Sequence, residues 1–259
     1  MDGSKKSILV FDSGFGGLSV LKRLVRLMPK ENWLYLGDSA NAPYGVHTTE
    51  EIIDYTLSAI GSVFSENIKA IVIACNTATA AAEDALKAAY PGVPVIGIEP
   101  AAKAAAAEND RTLCLATAST LNSARFASQM KEIRKGAELY PVPAPKIVTY
   151  VEAGATEKDE LREYLKDLFS PYTSEKIDAV VLGCTHFPFA ADVIEQAIGY
   201  SVKFYDAGSA VAEKVKSTLS QCGQLCDEGP GGSITMLNST CDDEYLRNAW
   251  KIFGFDIPD

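Results

Sequence analysis

Short runs of β-branched and apolar residues alternate along the chain with Ala- and Leu-rich stretches whose apolar positions recur at helical spacing. The pattern predicts strands at Ile8–Phe11, Trp33–Leu36, Ala70–Ala74 and Val93–Ile98, with helices between them at about Leu18–Leu27, Glu50–Phe64 and Ala78–Ala89. A second series follows: a helix at Ala101–Glu108, a strand at Thr112–Ala116, a helix from Ser123 to Gly136, a strand at Glu138–Val142, a helix from Glu157 to Phe169 and a strand at Ala179–Leu182. The tail reads as a helix at Ala210–Leu219, a Gly/Pro-rich loop from Gly223 to Gly232, a strand near Ser233–Asn238 and a last helix from Asp242 to Phe253. Strands that alternate with helices in this way build parallel sheets through crossover connections, so the fold class expected is α/β.

One segment of each series matches the other. Lys69-Ala-Ile-Val-Ile-Ala-Cys75-Asn-Thr aligns without a gap against Asp178-Ala-Val-Val-Leu-Gly-Cys184-Thr-His. Buried parallel strands are apolar everywhere, so chance similarity is the plain alternative to duplication. The shared ending, a cysteine followed by small hydroxyl or amide residues, favours duplication.

Composition narrows the chemistry. The chain has 259 residues, 47% of them hydrophobic, which is ample for buried cores. A net charge of -10, from 34 acidic and 24 basic residues with no long basic run, argues against a nucleic-acid groove or an anionic membrane surface. Any anion site must then be built locally from N–H groups, hydroxyls and amides. Met1–Ser7 is polar with two lysines and leaves no room for the apolar stretch of a signal peptide, and no apolar run reaches membrane-spanning length. The expected location is the cytoplasm, where the six cysteines would be reduced. Cys114 reads as a small buried hydrophobe. Cys222, Cys226 and Cys241 lack the paired spacing or neighbouring histidine of a zinc site, and no metal is expected.

Ligands of parallel α/β sheets sit beyond the carboxyl ends of the strands. There the sequence places Asp12-Ser13-Gly14, Gly37-Asp38-Ser39, Cys75-Asn76-Thr77, Thr117-Ala118-Ser119-Thr120 and Cys184-Thr185-His186. Helix capping would explain Asp12, Ser13 or Thr77, but it does not call for cysteine. The glycine-rich Asp12–Gly17 loop fails as a dinucleotide fingerprint because Ser19 stands at the third glycine position; it suits a small carboxylate or is simply a tight turn. A thiol at a strand end, beside the start of the next helix, gains thiolate character. Two such thiols, one on each side of a shared cleft, meet the needs of racemisation: a base on one face of a carbon and an acid on the other. Donors such as Ser13, Asn76, Thr77 and Thr185 would stabilise the carbanion-like transition state, with Asp12, His186 and Glu152 as charged helpers. A lone histidine is usually a surface or satisfied core residue; its place two residues after Cys184 favours a role.

Together these residues resemble the glutamate racemase family, within the aspartate/glutamate racemase superfamily. The resemblance rests on Val-Phe-Asp-Ser-Gly-Phe-Gly-Gly at 10–17, Gly-Asp-Ser-Ala at 37–40, Pro-Tyr-Gly at 43–45, Ala-Cys-Asn-Thr-Ala at 74–78, Val-Glu-Ala-Gly at 151–154 and Leu-Gly-Cys-Thr-His-Phe-Pro at 182–188. It implies two similar α/β domains, each a parallel sheet flanked by helices, with the active site in the cleft between them. The expected boundaries are residues 1–97 plus 207–259 for the first domain and 98–206 for the second. It further implies interconversion of L- and D-glutamate without pyridoxal phosphate or metal, a supply of D-glutamate for peptidoglycan synthesis, and a homodimer. Position by position, Cys75 and Cys184 become the proton donor/acceptors. Asp12, Ser13, Pro43, Tyr44, Gly45, Asn76, Thr77, Thr117, Thr120, Thr185 and His186 would bind or orient substrate, and Glu152 would assist His186. Departures from the family's usual residues at Ser39, Ala42, Phe187 and Phe189 touch neither cysteine but bear on pocket shape.

Other readings stay open at this point. Aspartate racemisation or a decarboxylation through a related enolate would use the same residues. A thiol hydrolase would use Cys184 and His186 and leave Cys75 unexplained. A two-lobed amino-acid-binding protein has no need of two cleft thiols. A pyridoxal enzyme is disfavoured because no lysine stands at these strand ends.

Overall fold

The computed structural model describes residues 6–240 together with Arg247 and Gly254. In order, the chain forms β1 (Ser7–Asp12), α1 (Leu18–Leu27), β2 (Asn32–Gly37), α2 (Thr49–Val63), β3 (Ile68–Ile73), α3 (Asn76–Ala89), β4 (Val95–Gly97), α4 (Ala102–Glu108) and β5 (Arg111–Ala116). It continues through α5 (Ala118–Leu121), α6 (Ala124–Lys131), β6 (Glu138–Pro143), α7 (Pro145–Glu152), α8 (Asp159–Phe169), β7 (Ala179–Leu182), α9 (Ala191–Ile198), β8 (Lys203–Tyr205), α10 (Gly208–Gln221) and β9 (Ile234–Asn238). Two compact units result: Met1–Ile98 with Gly208–Asp259, and Glu99–Ala207.

In the first unit the strand order is β4-β3-β1-β2-β9, and every pairing is parallel. All six residues of β3 are buried, as expected of a strand covered on both faces whose run Ala70–Ile73 is apolar, with Lys69 the one charged residue in it. Leu18, Val20, Leu21 and Leu24 give α1 its buried stripe. A capping box starts α2: the Thr48 hydroxyl accepts from the Glu51 N–H, and Glu51 in return accepts from the Thr48 N–H. The core of this unit gathers Leu9, Phe11, Ile52, Ile60, Ile71, Ile73 and Leu86.

The second unit orders its strands β8-β7-β5-β6, again all parallel. Laid beside the first, it repeats the order β4-β3-β1-β2 with β7 in the place of β3. The two strands aligned by sequence therefore hold the same position in their sheets, each beside the strand that opens its unit. Leu113, Leu115, Leu161, Leu165, Val180, Phe187 and Ile194 fill the main core here.

Several elements differ from the sequence expectation. The helix expected at 123–136 stops at Lys131. Gly136 takes a positive φ of 94°, and Arg134 turns back to donate to the carbonyls of Ala106 and Asn109 at the end of α4. Helices α5, α7 and α9 and strand β8 are additions. The prolines at 141, 143 and 145 interrupt the pattern before α7, yet Pro145 sits in the first turn of that helix, where no N–H is needed. Apart from Arg247, the helix expected at 242–253 lies outside the described residues.

The Gly/Pro-rich loop after α10 is tied to the amino end of the first sheet by a fully buried ion pair. Lys69 Nζ lies 2.6 Å from Glu31 Oε2, with both side chains at 0% exposure. Lys69 also donates to the Gln224 carbonyl at 2.7 Å, and Glu31 accepts from the Cys226 N–H at 2.8 Å. No helix among the described residues is long and apolar enough to cross a membrane.

Candidate active site

In the first unit, three neighbouring strands deliver the predicted residues. Asp12 ends β1, fully buried, and its Oδ2 accepts from the Gly14 N–H at 3.0 Å. The glycine-rich turn is shaped around it, since a Cβ on Gly17 would stand 2.5 Å from the Asp12 Cβ. Cys75 follows β3 and caps α3, its sulfur accepting from the Ala78 N–H at 3.4 Å. The Cys75 thiol lies 3.6 Å from the Ser13 hydroxyl, which accepts from it. Asn76 and Thr77 open α3 and are buried; Asn76 Oδ1 accepts no hydrogen bond from any described residue, leaving an acceptor in the wall next to the thiol.

Pro43, Tyr44 and Gly45 lie between β2 and α2. A cis peptide bond joins Ala42 to Pro43, and Tyr44–Val46 forms a short 3-10 turn. Tyr44 shares the buried core with Cys75. Burial first, and then the Asp38 carboxyl that its hydroxyl meets at 2.6 Å, push the Tyr44 pKa upward and keep it a donor.

In the second unit, β7 reaches Cys184 through Gly183, which has no room for a side chain: a Cβ there would lie 2.7 Å from the Leu115 carbonyl oxygen. Cys184 Sγ is 3.6 Å from His186 Nδ1, and His186 Nε2 is 2.5 Å from Glu152 Oε1. Glu152 is the last residue of α7. Burial works against a charged imidazole here, but the contacts to Cys184 and Glu152 outweigh it and hold the His186 pKa well above the ordinary value. Thr117 caps α5 and accepts from the Thr120 N–H at 3.2 Å, the two hydroxyls lying 3.0 Å apart. Thr185 is buried between Cys184 and His186 in sequence.

Asp12, Ser13, Cys75, Asn76 and Thr77 thus stand at strand carboxyl ends in one unit, and in the other Cys184 and His186 follow β7 and join Glu152 at the end of α7 in a continuous chain. Asp38, which directly follows β2, stood in the sequence among the strand-end residues without a role of its own, and Asn41 was not singled out; Asp38 accepts from Tyr44, and Asn41 donates to Asp38. Glu152 was named as a charged helper on the Cys184 side, although α7, which carries it, was not legible. Among the described residues no group of three or more His, Cys, Asp and Glu side chains could hold a metal ion. Cys222 is exposed and Cys226 half-buried, while Cys241 lies outside the described residues.

A family model described as Asp/Glu/Hydantoin racemase matches residues 8–215. A glutamate racemase of Clostridium botulinum is 40% identical over 254 residues, covering 97% of this chain and 98% of the relative. One of Clostridium perfringens is 39% identical over 93% of this chain and 94% of its own. Among solved structures, a glutamate racemase isoform of Bacillus anthracis superposes with a TM-score of 0.84 at 28% identity, over 97% of this chain and 95% of that one. The glutamate racemase of Francisella tularensis, solved in complex with D-glutamate, gives 0.82 at 27% identity over 96% and 94%. With matches that span nearly the whole chain and two parallel sheets of the kind these relatives carry, the chain belongs to the Asp/Glu/hydantoin racemase family, among the glutamate racemases, and is an isomerase.

Proposed function

We propose that the chain interconverts L- and D-glutamate without a cofactor, using Cys75 and Cys184 as opposed acid/base thiols. The observation that carries this reading is the equivalence of the two cysteines: each follows the strand that flanks the opening strand of its sheet, and each meets a polar partner there, Ser13 in one unit and His186 in the other. Racemisation needs two such groups on opposite faces of one carbon. One thiolate takes the Cα proton and becomes a thiol; the other thiol gives its proton to the opposite face and becomes a thiolate. The roles exchange in the reverse direction.

A positioned base contributes about 10²- to 10⁴-fold against so weak a carbon acid. The remainder falls to donors on the substrate carboxylate as charge develops, a task suited to the Ser13, Thr77, Thr117, Thr120 and Thr185 hydroxyls, the Asn76 amide and the Pro43–Gly45 backbone. Asp12 serves the Cys75 side, and the His186–Glu152 pair serves the Cys184 side. The reading includes delivery of D-glutamate to peptidoglycan synthesis in the cytoplasm by a homodimer, as the resemblance implies. A hydrolase built on Cys184, His186 and Glu152 alone would leave the matched Cys75 strand end without a use.

The test is to incubate the protein with each enantiomer of glutamate and of aspartate in heavy water and follow optical rotation and Cα deuterium. Glutamate is expected to lose rotation and gain deuterium from both directions without added cofactor, and Cys75→Ser or Cys184→Ser to abolish nearly all turnover. Turnover of aspartate alone would move the assignment to aspartate racemisation. Full activity in both single variants would remove the two-thiol mechanism.

A further inference from the structure

The segment between β2 and α2 is folded onto one carboxyl group. Asp38 is 1% exposed, and its backbone N–H donates to the Asp12 carbonyl at 2.9 Å, carrying the β1–β2 ladder one step past the strand end. Its side chain accepts from the Tyr44 hydroxyl at 2.6 Å and from the Asn41 amide at 3.0 and 3.2 Å. These two donors come from the 3-10 turns Ser39–Asn41 and Tyr44–Val46, on either side of the cis Ala42–Pro43 bond. A carboxyl group can accept from both at once. An asparagine would accept at one oxygen and set its own amide against a donor.

Tyr44 carries this anchoring inward. Its ring lies tilted against Phe11 at 6.2 Å and Tyr55 at 6.0 Å, and its turn packs on α3, the helix that Cys75 caps. The outer end of the segment is held as well: His47 Nε2 is 3.2 Å from the Asn41 carbonyl, its Nδ1 is 3.7 Å from Glu51, and its ring stands edge-on to Tyr55 at 5.2 Å.

We infer that Asp38 is a positioning residue for this reaction: through the Tyr44 hydroxyl and the Asn41 amide it fixes the Tyr44–Gly45 backbone beside Cys75. The inference rests on the racemase reading above, in which that backbone binds substrate. Asp38 itself touches no reacting atom. Its loss therefore weakens substrate binding and leaves proton transfer by the thiols intact.

The experiment measures kcat and KM for both enantiomers of glutamate with the wild type, Asp38→Ala, Asp38→Asn, Tyr44→Phe and the Asp38→Ala/Tyr44→Phe double variant. Circular dichroism and Tm confirm that each is folded. Asp38→Ala is expected to raise KM about tenfold in both directions, with kcat held within about threefold. Asp38→Asn, keeping one acceptor, should fall between Asp38→Ala and the wild type. The double variant should match Asp38→Ala closely, because removing Asp38 already takes away the carboxyl partner of the Tyr44 hydroxyl. An unchanged KM, a fall confined to kcat, or effects that multiply in the double variant overturn the proposal. If Asp38→Ala does not fold, Asp38→Asn with Tyr44→Phe provides the same cycle. A parallel arm follows iodoacetamide labelling of Cys75 and Cys184 by peptide mass spectrometry. Faster labelling of Cys75 alone in the Asp38 variant supports the inference, and unchanged labelling overturns it. A wild type that leaves glutamate untouched defeats the racemase reading, and the labelling arm then still decides the role of Asp38.

Discussion

Cys75, Cys114 and Cys184 are all buried at or within strands, and their surroundings separate them. Cys114 lies inside β5 among apolar neighbours, and burial pushes its pKa up to about 12, so at pH 8 only about one molecule in ten thousand carries its thiolate. Native protein treated with iodoacetamide at that pH should be modified at the exposed Cys222 and not at Cys114 until it is unfolded; early labelling of Cys114 would contradict its inert role. His186 offers a second measurement. Its pKa stands above the ordinary 6.5 because Cys184 and Glu152 favour the charged ring. A group raised in this way adds stability that is fully present below the unfolded value and is lost as pH rises through the folded one. The Tm advantage of the wild type over His186→Asn should therefore be largest below pH 6.5 and shrink as pH climbs above it. A difference that stays level across that range would contradict the imidazolium assignment. Cys75, Cys184 and His186 were visible in the sequence because strand periodicity fixes what comes at a strand end. Asp38 stood at a strand end too, whereas a partner that approaches from a helix, such as Glu152 at the end of α7, has no local signature.

At the scale of elements, close approaches decide how the site is held. Gly17 lets the turn before α1 close over Asp12, and Gly17→Ala would drive a methyl group into that carboxylate side chain. A loss of about 1–3 kcal/mol in urea denaturation is expected, together with a larger fall in racemase activity than stability alone explains. The buried Lys69–Glu31 pair gives a sharper test. Lys69→Met should cost about 3–5 kcal/mol by stranding Glu31, while Lys69→Met/Glu31→Leu should recover much of it; equal destabilisation in both would mean that the contacts to Gln224 and Cys226, not the charge, hold the loop. Alternating patterns made α1, α2, α3 and the inner strands legible. They failed where local chemistry overrides periodicity: at α7 behind three prolines, at the end of α6 where Arg134 reaches back to α4, and at β8, whose three residues are too short a run to show a period.

For the whole molecule, a single matched pair of strand segments stood in the sequence for a repeat of four strands in each sheet. The remaining equivalences lie in strand order, which residue identity does not record. The second unit's core clusters draw only on residues between Ala101 and Tyr205, so residues 99–207 expressed alone should unfold cooperatively on heating with a folded near-UV spectrum. A fragment without a thermal transition would show that this core needs the rest of the chain. The first unit has no such independence, because β2 pairs on its outer side with β9, and the whole second unit is inserted before β9 in the chain. On the ribosome, every strand of the inserted unit emerges before β9 exists. For that interval β2, Asn-Trp-Leu-Tyr-Leu-Gly with no charged residue, is an unguarded edge open to strand addition by other nascent chains. Chains broken off before Ile234 would keep that edge permanently, so the burden this protein places on chaperones falls on its unfinished copies.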